Sequence, residues 1–151
     1  MGRVTGAFLC ALLSFTSLGA TGDDAVRAYA DSMAQAVVAN SDGILLQNFA
    51  PIMRNTYSDK ELLSPLRKIQ DEFGAISKPE FRVGAAGKRL VGIQIIRTAV
   101  FTYALVTTKF PEGSFLKVEV TYMDGHYALA GYSVVRFVGN DIPPELRAPS
   151  H

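Results

Sequence analysis

Apolar residues recur at three- and four-residue intervals through the first half of the chain and at alternate positions through the second. Val26, Tyr29, Ala30, Met33, Ala36 and Val37 predict a helix that Asp23 and Asp24 can cap and that ends near Asn40. A short apolar segment, Ile44, Leu45 and Phe49, runs into Pro51. The capping-box spacing from Ser58 to Glu61 opens a further helix bearing Leu62, Leu66, Ile69 and Phe73. Pro65 is expected to kink or restart it, with Ser64 as an alternative cap, and Gly74 closes it.

Beyond Gly74 the period becomes two. Segments rich in Val, Ile, Phe, Tyr and Thr at 79–84, 89–95, 98–110, 115–123 and 126–138 predict five strands. Asp124-Gly125 is the clearest hairpin signal, because a type I′ turn needs positive φ at both positions. A two-residue turn there pairs Tyr122 with Tyr127, Val120 with Leu129 and Val118 with Gly131. A four-residue turn at Pro111 to Ser114 pairs Phe110 with Phe115, hence Leu105 with Val120 and Tyr103 with Tyr122. On that register Phe101, Tyr103, Leu105, Leu116, Val118, Val120, Tyr122, Tyr127, Leu129, Val135 and Phe137 share the core face. Phe110, Phe115, Ala130, Tyr132 and Val134 fall on the opposite face, around the Lys117 and Glu119 pair, as a candidate dimer interface. Helices followed by an antiparallel meander make an α+β fold, with the helices on one face of the sheet.

The first residues change the reading of the compartment. Arg3, the uncharged and mostly apolar run from Gly6 to Leu18, and the small residues Gly19, Ala20 and Gly22 follow the order of a secretory signal peptide. The run is too short for the roughly 20 residues that span a bilayer as a helix. The expected organisation is therefore a signal peptide over 1–22, one domain over 23–138 and a Pro-rich tail over 139–151, an irregular strap or a disordered end. The expected location is secreted or periplasmic, with no integral membrane segment after cleavage. Cleavage removes Arg3 and the single cysteine, Cys10, leaving equal numbers of basic and acidic residues. A chain near 150 residues that is 48% hydrophobic and 19% charged forms one globular core, which excludes disordered, collagenous and disulfide-stapled classes. Its near-zero net charge gives no overall electrostatic case for nucleic acid or an anionic surface as the main partner.

A capped first helix, a broken second helix ending in Asp71-Glu72-Phe73-Gly74-Ala75-Ile76, and a last hairpin reading Val118 to Tyr122, Asp124-Gly125-His126-Tyr127 and Ala130-Gly131-Tyr132 resemble the nuclear-transport-factor-2-like cone fold. Within that superfamily the likeness is to small secreted bacterial domains. The resemblance implies a strongly curved sheet wrapped on helices, cystatin-like or ketosteroid-isomerase-like in architecture, with a cavity at the wide end. The superfamily includes isomerases, dehydratases, binding proteins and adaptors, so the fold does not choose an activity. Tyr29, Met33, Phe49, Met53, Phe101, Tyr103, Tyr122 and Tyr127 are the candidate lining of that cavity, with Tyr103, Tyr122 and Tyr127 side by side across three strands.

Catalytic signatures are scarce. Only His126, beside a tight turn, and the terminal His151 could serve imidazole chemistry after cleavage, and no metal-ligand spacing occurs. Gly84-Ala85-Ala86-Gly87-Lys88 departs from a phosphate loop at Arg82 and Arg89, and is expected to be a turn. The basic pairs Arg67-Lys68 and Lys88-Arg89 lack interleaved aromatics for nucleic acid. The expected function is a non-catalytic module, without metal or cofactor, binding a small apolar ligand or a protein. The alternatives are a cone-fold isomerase or lyase using a pocket tyrosine as proton donor, and a structural domain acting by self-association as a homodimer.

Overall fold

The computed structural model describes residues 21–148. The expected signal peptide lies almost wholly outside the described residues. Among the described residues four helices precede a four-stranded antiparallel sheet, so the fold is α+β.

Helix α1, Thr21–Val38, buries Val26, Ala30, Met33, Ala34 and Val37 along one stripe, and keeps Asp23 and Asp24 in its first turn, where carboxylates suit the helix dipole. Asn40, at φ 56°, ends it: its N–H donates to Val37 O and the Ser41 N–H to Ala36 O, the paired bonds of a Schellman motif. The apolar segment that follows forms two short helices, α2 (Asp42–Asn48) and α3 (Pro51–Thr56), the second opening on a proline whose missing N–H costs nothing there. Helix α4, Asp59–Phe73, starts with the full capping box between Ser58 and Glu61. Pro65 neither splits nor restarts it, and Gly74 caps it at φ 75°. Leu62, Leu66, Ile69 and Phe73, spaced by three and four, turn one buried face to the rest of the core.

The sheet is a meander, β1 (Glu80–Val91), β2 (Gln94–Leu105), β3 (Ser114–Met123) and β4 (His126–Arg136), in that spatial order. It has four strands rather than five. The stretch Gly84 to Lys88, expected as a turn, lies inside β1, and the chain reverses at Gly92-Ile93 instead. Those glycines serve close approach rather than a turn: a Cβ on Gly87 would stand 2.9 Å from Thr98 Oγ1 and Val100 Cγ2, and one on Gly84 3.2 Å from the Phe101 ring.

Two further registers differ from expectation. Strand β2 ends at Leu105, opposite Ser114, because Thr107 and Phe110 close a turn of their own, with Phe110 N–H donating to Thr107 Oγ1 and Thr107 Oγ1 to Phe110 O, both at 3.0 Å. Tyr103 therefore pairs with Leu116 and Ala99 with Val120. In the last hairpin Tyr122 faces Tyr127 and Val120 faces Leu129 as the turn dictates, but a bulge at Ala130 then sets Val118 against Tyr132. The extra residue turns Tyr132 and Val134 to the helix side and Val135 and Phe137 away from it. Tyr132 is buried, and its hydroxyl donates to Leu62 O in α4 at 3.0 Å.

The sheet is curled and unclosed. The edge strands β1 and β4 do not pair, yet the Arg89 guanidinium of β1 lies within 2.6 Å of where a Cβ on Gly131 of β4 would stand, and it bonds Glu119 of β3 at 3.0 Å. Phe49 and Ala50 bridge to Leu129 and so protect part of the β4 edge. After Gly139 the chain makes two short 3-10 turns, Gly139–Asp141 and Pro144–Leu146, and buries Leu146. Residues 139–148 thus form a strap over the end of the sheet. No helix among the described residues is long and apolar enough to cross a membrane.

Candidate functional site

Strand β1 carries a bulge at its start, where Phe81 pairs with Tyr103 and Val83 with Thr102, leaving Arg82 without a ladder partner. Such a bulge re-aims its side chain. The Arg82 side chain is only 10% exposed. Its Nη1 donates to Glu80 at 2.7 Å, and its Nε is buried with no partner. The nearby guanidinium holds the Glu80 carboxyl below the usual carboxylate range.

Arg82 lines a cavity of about 320 Å³ between the ends of β1, β2 and β3 and the strap. Leu105, Phe115, Ile142 and Leu146 supply apolar wall, while Lys78 and Glu112 are exposed residues of its lining. Ser114 lines it as well, and its buried hydroxyl has no partner. Glu80 and Arg147 line it too, so an apolar wall is combined with charges of both signs, and polar groups set in an apolar wall are what orient a ligand in a small-molecule site. Here the lining includes an arginine whose Nε has no partner, one of the two donors of the fork that matches a carboxylate. A buried polar group without a bond costs free energy, so an acceptor supplied by a ligand would relieve it.

Seven of the eight residues expected to line one cavity separate into three groups. Phe49 and Met53 line a smaller cavity of about 180 Å³, together with Tyr57, Glu61, Leu62, Pro65, Arg89 and Tyr132. Most of the polar groups there are occupied: Glu61 completes the helix cap, Arg89 pairs with Glu119, and Tyr132 bonds Leu62 O. Tyr29, Tyr122 and Tyr127 cluster elsewhere, with ring centroids 6.0 Å apart for Tyr29 and Tyr127 and 5.3 Å for Tyr122 and Tyr127, and the Tyr29 hydroxyl donates to Asn48 Oδ1 at 3.0 Å. Tyr103 stands apart from them, so the expected row of three tyrosines does not form. It packs edge-on to Phe81 and donates to Asp31 Oδ1 at 2.7 Å, with Phe101 buried nearby against Phe81. Met33 is a core residue.

Burial pushes the Tyr29 phenol up to about 12, and the Tyr132 phenol likewise to about 12. Burial and then the Asp31 carboxylate raise Tyr103 further. These phenols are weak acids held by internal acceptors. The expected dimer patch is also mostly inside the molecule: Phe115, Ala130 and Tyr132 are buried within the chain, Phe110 lies half-buried against Phe73, and Val134 is half-buried. Tyr132 changed face because of the Ala130 bulge, and Phe115 is covered by Phe137 and the strap.

Sequence reasoning passed over Arg82 and Ser114. The available signal was a charged residue in an otherwise apolar strand stretch, Phe81-Arg82-Val83, which a bulge can turn inward. No family model, curated protein or solved structure matches the chain.

Proposed function

We propose that the protein is a secreted or periplasmic non-catalytic binding module that holds a small amphiphilic carboxylate in the chamber under the strap, its head on Arg82 and its apolar body against Phe115 and Leu146. The observation that carries this reading is the Arg82 side chain, 10% exposed and with its Nε unpartnered, in the lining of a cavity of about 320 Å³. The curled sheet with helices laid against it supports the cone-like architecture and the nuclear-transport-factor-2-like resemblance, while moving the ligand away from the tyrosines. The order of basic, apolar and small residues before Asp23 supports export. Binding is favoured over isomerase or lyase chemistry because the phenols of Tyr29, Tyr103 and Tyr132 already donate to internal acceptors and are raised in pKa. Calorimetric titration with octanoate tests the reading. Octanoate should bind, octanol should bind at least about tenfold more weakly, and Arg82→Gln should lower octanoate affinity by a similar factor, the usual worth of a hydrogen bond to a charged group. Octanol binding as well as octanoate would overturn it.

A further inference from the structure

The β1–β2 hairpin ends in an apolar tip that the fold does not use. Ile93 is 98% exposed, Ile95 70% and Leu90 63%. Leu90 and Ile95 are direct cross-strand partners, and Ile93 occupies the turn beside Gly92, which takes φ 59°. Turn positions of this kind ordinarily carry Gly, Asn, Asp or Ser, so a fully exposed isoleucine there has no folding rationale.

One step behind the tip, on the same face, Lys88 pairs across the strands with Arg97. Both are exposed, and neither has an ion-pair partner among the described residues, whereas Arg82 is paired with Glu80 and Arg89 with Glu119. Like charges directly opposed destabilise a strand pair unless an outside anion screens them. After Glu80 the next acidic residue is Glu112, so nothing on the hairpin neutralises them. The near-zero net charge of the whole chain conceals this local segregation.

We propose that this hairpin tip docks the protein on an anionic lipid bilayer, with Leu90, Ile93 and Ile95 entering the interfacial layer and Lys88 and Arg97 taking the headgroup phosphates. Charge complementarity selects the occupant: an apolar tip with a cationic collar matches an apolar layer beneath an anionic surface. The opposite face of the hairpin holds it to the body, since Val91 is buried, Gly92 approaches Thr56 of α3, and Arg89 reaches Glu119. The inference rests on the hairpin alone and is independent of the Arg82 chamber.

The test is co-sedimentation with vesicles of phosphatidylcholine and phosphatidylglycerol at three to one, against pure phosphatidylcholine. The wild type should partition onto the anionic vesicles and leave them when salt is raised to about 0.5 M, where screening is strong. Lys88→Gln and Arg97→Gln should each weaken partitioning about fivefold, the worth of one cation at an anionic surface. Ile93→Asp, at a position the fold does not bury, should weaken it at least tenfold while leaving the thermal melt unchanged. Failure to bind anionic vesicles overturns the proposal, as does equal binding to both compositions or an Ile93→Asp variant that binds like wild type. A wild type that dimerises in solution, becomes monomeric on Ile93→Asp and ignores vesicles would also overturn it, assigning the tip to a second copy of the chain.

Discussion

Replacing Tyr132 by alanine tests the point at which the structure departs furthest from the sequence pattern. A regular ladder continued from the Asp124-Gly125 turn would put Tyr132 on the outer face, where truncation costs little. The Ala130 bulge puts it inside, 6% exposed, its ring 6.1 Å from that of Phe49 and its hydroxyl donating to Leu62 O at 3.0 Å. Removing a buried aromatic side chain costs about 3–5 kcal/mol through lost burial and the cavity left behind. Tyr132→Phe keeps the ring and loses one buried hydrogen bond, at about 1 kcal/mol. Against the roughly 5–15 kcal/mol stability of a small domain, the alanine variant would lose a large share. Urea unfolding followed by circular dichroism separates the cases: with a slope of about 1–3 kcal/mol per molar, the alanine midpoint should fall by more than about 1 M and the phenylalanine midpoint by less. An alanine variant within about 0.5 kcal/mol of wild type, the behaviour of an exposed site, would show that the bulge is absent.

Two further outcomes follow from the same structure. Gly125→Val should cost roughly 1–2 kcal/mol, because Gly125 sits at φ 85° beside Asp124 at φ 53°, and an unchanged melting temperature would refute the type I′ turn. The folded-state pKa values of Tyr29, Tyr103 and Tyr132 are raised, so their contribution is fully present below the unfolded tyrosine value near 10 and is lost as pH climbs through the folded values. The melting temperature should therefore fall between about pH 10 and 12, less steeply in Tyr103→Phe, and parallel slopes in the two proteins would refute the Tyr103–Asp31 account.

The parity of each register shift decided what could be read from the sequence. Moving the partner of Val120 from Leu105 to Ala99 is an even slip, so Phe101, Tyr103 and Leu105 kept the helix face although every cross-strand partner changed. The Ala130 bulge is an odd slip, and it exchanged the faces of Tyr132, Val134, Val135 and Phe137. Helix caps and the Asp124-Gly125 turn depend on local chemistry within a few residues, and the expected Ser58–Glu61 box and Tyr122–Tyr127 pair are in place. The Arg82 chamber depends on a bulge, a loop closed by Thr107 and Phe110, and a strap brought back from residue 139. None of these leaves a periodic trace in the chain. Phe49 and Met53 do line a cavity, since they flank the junction between α2 and α3, but the residues completing it come from α4, β1 and β4.

The central claim is that Arg82 receives the head of an acidic ligand, and the most direct measurement follows its own Nε–Hε resonance in nitrogen-15 spectra during titration with octanoate. A saturable downfield shift of that resonance is expected, together with shifts at the amides of Ser114, Phe115 and Leu146. Arg147 lines the same chamber, but its Nε already donates to Ile142 O at 3.1 Å and should move much less. An Arg82 resonance that stays in place while octanoate reaches saturation elsewhere on the protein, or a spectrum that never changes, would contradict the account.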